Sequence, residues 1–219
     1  MTSNSNPQAQ LESLCSGLTS VLQQQLAAMP EARATIASVI TRLSLDNSVS
    51  SNTAAPNLLN DLLGGFTSNT NDITPEAQNL VDCVLSLADH LPWYQRPIAN
   101  NPTFMAGHSN AQIIGPEGLV VRHDLIVGVT LMRPNIDYPD HQHDPEEVYL
   151  ALSEGHWRQE DSPWNTPGIG GLIYNPSNVF HGMKSLNTPL IAMWCLPLDR
   201  PFTSFSSPLP SSPPSPPTS

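Results

Sequence analysis

The sequence predicts a mostly β protein, a double-sheet β-barrel preceded by helices. Three observations predict it. Apolar residues recur at helical spacing up to about residue 100 and then change period. Beyond residue 103, short β-rich runs appear at 111–114, 119–121, 125–132, 148–152, 171–174, 183–186 and 190–195, separated by Gly, Pro, Asn and Asp turns. Many short strands with regular turns imply a sandwich or barrel. Finally, four side chains suited to one metal ion are spread over distant runs, and a closed double-sheet barrel is where ligands from distant strands converge. The chain accordingly divides into a helical segment over 1–100, a barrel over 101–200 and a Ser/Pro-rich tail over 201–219.

In the helical segment, Leu11, Leu14, Leu18, Val21, Leu22 and Leu26 make one stripe. Ile36, Val39, Ile40 and Leu43 make a second after Pro30, and residues 44–57 are a polar loop. Residues 58–63 suggest a short helix stopped by Gly64-Gly65. Thr74-Pro75-Glu76 is a helix start: a capping hydroxyl, proline at the first helical position, then an acid. Leu80, Val81, Val84, Leu85 and Leu87 give that helix its apolar side, ending near His90. These stripes are core packing. The tail has almost no large apolar side chains, and its composition predicts an extended or disordered segment.

Composition narrows the function. A net charge of −11 disfavours nucleic acid and anionic membranes as partners. Only eight Lys and Arg are present, too few for substrates that need several cationic clamps. Cys15, Cys83 and Cys195 are odd in number and far apart, which fits buried reduced thiols and a cytoplasmic setting. The polar N-terminus does not look like a signal peptide, and no apolar run approaches the ~20 residues of a membrane span.

The chemistry sits in Asp140-His141-Gln142-His143-Asp144-Pro145-Glu146-Glu147, with His181 34 residues after Glu147. On a β-strand, residues two apart share a face, which would put both imidazoles of His141 and His143 on one side. Glu147 heads the next apolar run, and His181 follows a turn. Three imidazoles and a carboxylate suit a first-row divalent metal and leave positions open for a substrate. A lone His-x-His pair carries little weight; four matched ligands in this order are a motif with a mechanism.

This pattern resembles the cupins. His141, His143, Glu147 and Gly155 follow their first motif, with the glycine one residue late. Gly170, Pro176 and His181 follow the second, with Asn178 in place of a glycine. Asn tolerates left-handed backbone, so the exchange is mild. Within the cupins the chain is similar to the dimethylsulfoniopropionate (DMSP) lyases. The similarity lies in residues 137–141, 146–153, 155–158, 178–183 and 189–194. It implies β-elimination of DMSP to dimethyl sulfide and acrylate, metal ligation by His141, His143, Glu147 and His181, and active-site tyrosines at Tyr138 and Tyr149.

The residues support such a reaction. A metal can take the carboxylate of a small zwitterionic substrate and stabilise charge next to it. A tyrosine near a divalent cation becomes a better base than one in water. Strand parity with Glu147 favours Tyr149, and Tyr138 stands just before the first ligand. Trp157, Trp164 and Trp194 are candidates for cation–π contact with the sulfonium. Arg122, Arg133, Arg158 and Lys184 are the cations of the 101–200 segment before Arg200, and any of them could face the carboxylate. His108, His123 and His156 lack partners at ligand spacing, and Cys195 suits a small buried hydrophobe. Fe(II), Mn(II), Zn(II), Co(II) and Ni(II) all accept these ligands. A monomer or homodimer is equally compatible. A cupin dioxygenase using Fe(II) and O₂, or a non-catalytic metal- or ligand-binding cupin, shares the ligand set.

Overall fold

The computed structural model describes residues 6–50, 54–57, 59–67 and 73–200, so the 201–219 tail lies outside the described residues. The chain opens with α1 (Pro7–Gln25) and α2 (Arg33–Leu43), the latter entered through a 3₁₀ turn. Helix α3 (Pro75–Leu87) starts as the sequence implies: Pro75 is at its first turn and the Thr74 hydroxyl accepts from Ala77 N–H at 3.3 Å. The helix expected at 58–63 is instead a 3₁₀ helix, Asn60–Thr67, that runs through Gly64-Gly65. Glycine weakens a helix by about 1 kcal/mol but does not forbid one, and the tighter 3₁₀ turn accommodates it. A short α4 (Pro102–Gly107), capped by Asn101, leads into the strands.

Among the described residues nine strands follow: β1 (His108–Gly115), β2 (Val120–Val121), β3 (Leu125–Met132), β4 (Asp137–His141), β5 (Glu147–Ala151), β6 (His156–Gln159), β7 (Leu172–Asn175), β8 (His181–Lys184) and β9 (Leu190–Pro197). They form a six-stranded sheet, ordered β2-β1-β3-β9-β5-β7, and a three-stranded sheet, ordered β4-β8-β6. This is the cupin double-stranded β-helix, with helices ahead of it. Strands β4 and β6 are the ones that hydrophobic alternation does not reveal. The first reads Asp-Tyr-Pro-Asp-His and the second His-Trp-Arg-Gln. Their pairing with β8 makes them strands, not their own patterning.

The larger sheet is buried on both faces. Strands β1 and β3 are buried at every position, which is why they read as continuous apolar runs. Parity sorts them. Val127, Val129, Leu131, Val148, Leu150, Ile191, Met193 and Cys195 face outward into one core with α1, α2 and α3. Ile126, Met132, Tyr149, Ala151, Ala192, Trp194 and Leu196 face inward and pack with Tyr138, Trp157 and Met183 of the smaller sheet. Cys15, Cys83 and Cys195 are buried free thiols, in keeping with the sequence. Among the described residues, no helix is long and apolar enough to cross a membrane.

Gly128 lies in register with Trp194 on the neighbouring strand. A Cβ there would run into the indole ring, so glycine at this inward position makes room for the tryptophan.

Candidate metal centre and its cavity

His141 closes β4, Glu147 opens β5 and His181 opens β8. His141 and His181 are direct partners across the smaller sheet. The expectation that His141 and His143 share one strand face does not hold, because β4 ends at His141 and His143 sits in the following loop. The loop still aims it at the same point. Candidate ligand atoms of His141, His143 and His181 lie within 4.8 Å of one another.

Backbone carbonyls orient all three rings. Nδ1 of His141 meets Pro139 O at 3.0 Å, Nδ1 of His143 meets Pro145 O at 2.8 Å, and Nδ1 of His181 meets Val179 O at 3.0 Å. A carbonyl can only accept, so each Nδ1 carries a proton and Nε2 is the nitrogen presented to the centre. The turn that delivers His181 uses Asn178 at φ 59°, the left-handed backbone the glycine-to-asparagine exchange implies.

Glu147 completes the cluster. Its Oε2 lies 3.3 Å from His143 Nε2 and 3.1 Å from His181 Nε2. Asn175 donates to the same oxygen at 2.9 Å, and Gln159 in turn donates to Asn175 Oδ1 at 2.9 Å. Burial alone would raise the Glu147 pKa, but His143 beside it overrides burial and holds the carboxyl well below its usual range. The partner effect appears at His143, where Glu147 outweighs burial and raises the imidazole. His141 goes the other way, kept neutral first by burial and then by the neighbouring His181.

This donor set fits a divalent cation. The His181 Nε2 is buried and has no hydrogen-bond partner, although a carboxylate oxygen faces it. Two acceptors at that distance are unfavourable without a positive charge between or beside them. A metal would satisfy the lone pairs and the buried carboxylate together.

A cavity opens beside the cluster. Tyr138 and Tyr149 both line it, as do His141, Gln142, His143 and Glu147. A hydrogen-bonded chain supports Tyr138. The Trp194 indole N–H donates to Thr130 Oγ1 at 3.1 Å, Thr130 donates to Asn110 Oδ1 at 2.7 Å, and Asn110 donates to the Tyr138 hydroxyl at 3.3 Å. Burial raises both phenols. At Tyr138, Arg96 and Asn110 oppose it; at Tyr149, Glu147 adds to it.

Of the three tryptophans singled out by sequence, only Trp194 lines this cavity. Trp157 is packed between the sheets, and Trp164 lies under Arg158 and Lys184 at 4.7 and 4.3 Å. None of the four barrel cations lines it. Arg122 pairs with Asp124, Arg133 with Asp61 and Arg158 with Asp140. The cation that does line it is Arg96, with Tyr94 beside it, from the connector ahead of α4. Sequence reading missed both because the division at residue 100 assigns them to the helical half. The available signal was Trp93-Tyr94-Gln95-Arg96, an alternation too short to stand out. His123 is exposed and His156 partly buried. His108 is fully buried behind Tyr138.

The chain matches the dimethylsulfoniopropionate lyase family over residues 21–192. It is 35% identical over 75 residues to DddL of Cereibacter sphaeroides, a candidate dimethylsulfoniopropionate lyase, covering 34% of this chain and 31% of that protein. It is 30% identical over 82 residues to the dimethylsulfoniopropionate lyase DddQ of Ruegeria pomeroyi, covering 37% of this chain and 41% of that one. The matched stretches thus span 31% and 41% of these relatives. The crystal structure of DddQ from Ruegeria pomeroyi superposes with a TM-score of 0.60 at 22% identity, covering 82% of this chain and 92% of that one, which shows a common fold. A family match across most of the chain identifies it: this protein belongs to the dimethylsulfoniopropionate lyase family.

Proposed function

We propose that this protein is a metal-dependent carbon–sulfur lyase that cleaves dimethylsulfoniopropionate to dimethyl sulfide and acrylate, with a tyrosine as general base. The observation that carries the reading is the convergence of three imidazoles, each oriented by a backbone carbonyl, onto a buried carboxylate beside two phenols. Family membership supplies the substrate.

We infer that Glu147 is the fourth ligand. Its 3.1 and 3.3 Å distances to His181 and His143 support this, since bonds of about 2.0–2.2 Å place neighbouring ligand atoms about 3.0–3.5 Å apart. The centre takes one of Fe(II), Mn(II), Zn(II), Co(II) or Ni(II). A divalent ion held there supplies Lewis-acid stabilisation of charge on the substrate carboxylate.

The chain's own residues do the rest. With the divalent ion's charge offsetting the burial that raises both phenols, Tyr138 or Tyr149 as phenolate would take the proton from the carbon next to the carboxylate. The C–H electron pair becomes the new C=C bond, the C–S bond breaks, and dimethyl sulfide leaves with its electron pair. The products are acrylate, dimethyl sulfide and a protonated tyrosine. Trp194 offers the aromatic face for the sulfonium, worth about 0.5–2 kcal/mol.

The test is headspace gas chromatography for dimethyl sulfide after adding DMSP to metal-loaded protein, with an oxygen electrode in the same vessel. Dimethyl sulfide with no oxygen uptake supports the lyase. Oxygen uptake without dimethyl sulfide would replace it with a dioxygenase, and no turnover of any substrate with a binding cupin.

A further inference from the structure

Arg96 is unlike the arginines that pair with carboxylates. Arg42, Arg122, Arg133 and Arg158 each meet a carboxylate at 2.6–2.8 Å. Among the described residues, no carboxylate pairs with Arg96. It lines the cavity with His141, His143 and Glu147, and its Nη1 is buried without a hydrogen-bond partner. A buried guanidinium N–H left unpaired is unfavourable, and the chemistry that satisfies it best is an oxyanion taken in a charge-assisted, two-pronged bond. Glu147 is not that anion, because Asn175 and the histidines already surround it.

The backbone around Arg96 is fixed. Its N–H donates to His108 Nε2 at 2.9 Å, while His108 Nδ1 is held by Phe104 O at 2.6 Å. On one side, Tyr94 and Asn110 exchange two backbone hydrogen bonds of 2.8 Å, which ties the connector to β1. On the same stretch, the Gln95 side chain donates to His108 O at 3.1 Å. Arg96 is thus a cation on a fixed backbone that shares the cavity with Tyr138.

We propose that Arg96 is the carboxylate receptor of the cavity, and that it selects short monocarboxylates over neutral analogues of the same shape. This rests on the lyase reading only for the identity of the natural substrate; the anion site itself does not depend on turnover. Residues of the barrel itself do not provide it, so the connector contributes a specificity-determining group to the site.

The probes are propionate and its neutral isostere propionamide, titrated calorimetrically into metal-loaded, full-length protein. Arg96→Gln should weaken propionate by about 10–100-fold, the effect of one hydrogen bond to a charged group. Propionamide binding and bound metal should stay within about threefold of wild type. Arg96→Lys keeps the charge but not the fork, and should fall between the two. It also serves if Arg96→Gln does not fold. Three results would overturn the assignment: no propionate binding by wild type, equal propionate binding by wild type and both variants, or equal weakening of propionate and propionamide. The two readings fail separately. Arg96-dependent propionate binding without dimethyl sulfide release removes the lyase and leaves Arg96. Dimethyl sulfide release with an unchanged KM in Arg96→Gln removes Arg96 and leaves the lyase.

Discussion

The two faces of the larger sheet are built from the same strands and do opposite things. Outward residues such as Val127, Val129 and Leu150 are aliphatic and pack on α1, α2 and α3. Their inward neighbours include Thr130, Tyr149 and Trp194, with Asn110 on β1 and Glu147 at the start of β5, and these line the cavity. The outer face holds the sheet through apolar burial, which is non-directional and tolerant of exchange. The inner face holds polar groups that must each find a partner, so its arrangement is specific and less forgiving. Stability and chemistry are therefore separable by strand parity, and a substitution should affect one far more than the other.

The largest effect should come from the inner face at its centre. His143→Ala removes a ring that faces both His181 and Glu147. Bound metal, measured by elemental analysis, should drop to background together with lyase activity. Retention of stoichiometric metal would place the ligands elsewhere.

Next come the phenols. Tyr149→Phe and Tyr138→Phe keep the ring and remove the oxygen, so each tests proton transfer rather than packing. The true base should lose about 10²–10⁴-fold in turnover with metal retained, and the other tyrosine less. Turnover within a few-fold of wild type in both variants would remove tyrosine from the mechanism.

The outer face should behave in the opposite sense. Leu18 and Leu80 are fully buried in the apolar core that the helices share with the outer face of the sheet. Leu80→Ala should cost about 2–5 kcal/mol in urea unfolding while leaving metal content and turnover per folded molecule near wild type. A comparable loss of turnover at full folding would mean that the two faces are coupled.

His108 sharpens the boundary between them. Burial keeps it neutral, with a pKa lowered to about 4. The unfolded chain takes up this proton near pH 6.5 and the folded one does not, so stability is complete above about 6.5 and declines as pH falls towards about 4. The decline from this group is at most about 3 kcal/mol. Urea midpoints for wild type and His108→Gln at both ends of that range should differ more at the upper end; equal differences would exonerate His108.

The smallest effect belongs to the exposed rim. Arg133 meets Asp61 at 2.8 Å with both side chains substantially exposed. Asp61→Asn should shift the urea midpoint only slightly, and not at all in high salt. A larger change would show that this pair anchors the 3₁₀ segment to the barrel.

By itself the sequence determined that helices precede the strands, the fold class and the three histidines of the centre. Those rest on local signals: period 3.6 changing to period 2, the Thr74-Pro75 helix start, and His141, His143, Glu147 and His181 at fixed spacing. The asparagine at 178 was legible for the same reason, since left-handed backbone is a property of one residue. Tertiary structure alone decided what depends on distant partners. Strands β4 and β6 exist through their pairing with β8. His143 reaches the centre from a loop, and Trp194 rather than Trp157 or Trp164 faces the cavity, through the space Gly128 leaves. Arg96 enters the site from outside the barrel because Tyr94 pairs with Asn110 and His108 holds its backbone. Such contacts join residues through three-dimensional closure, and no local pattern encodes which loop will be brought against which strand.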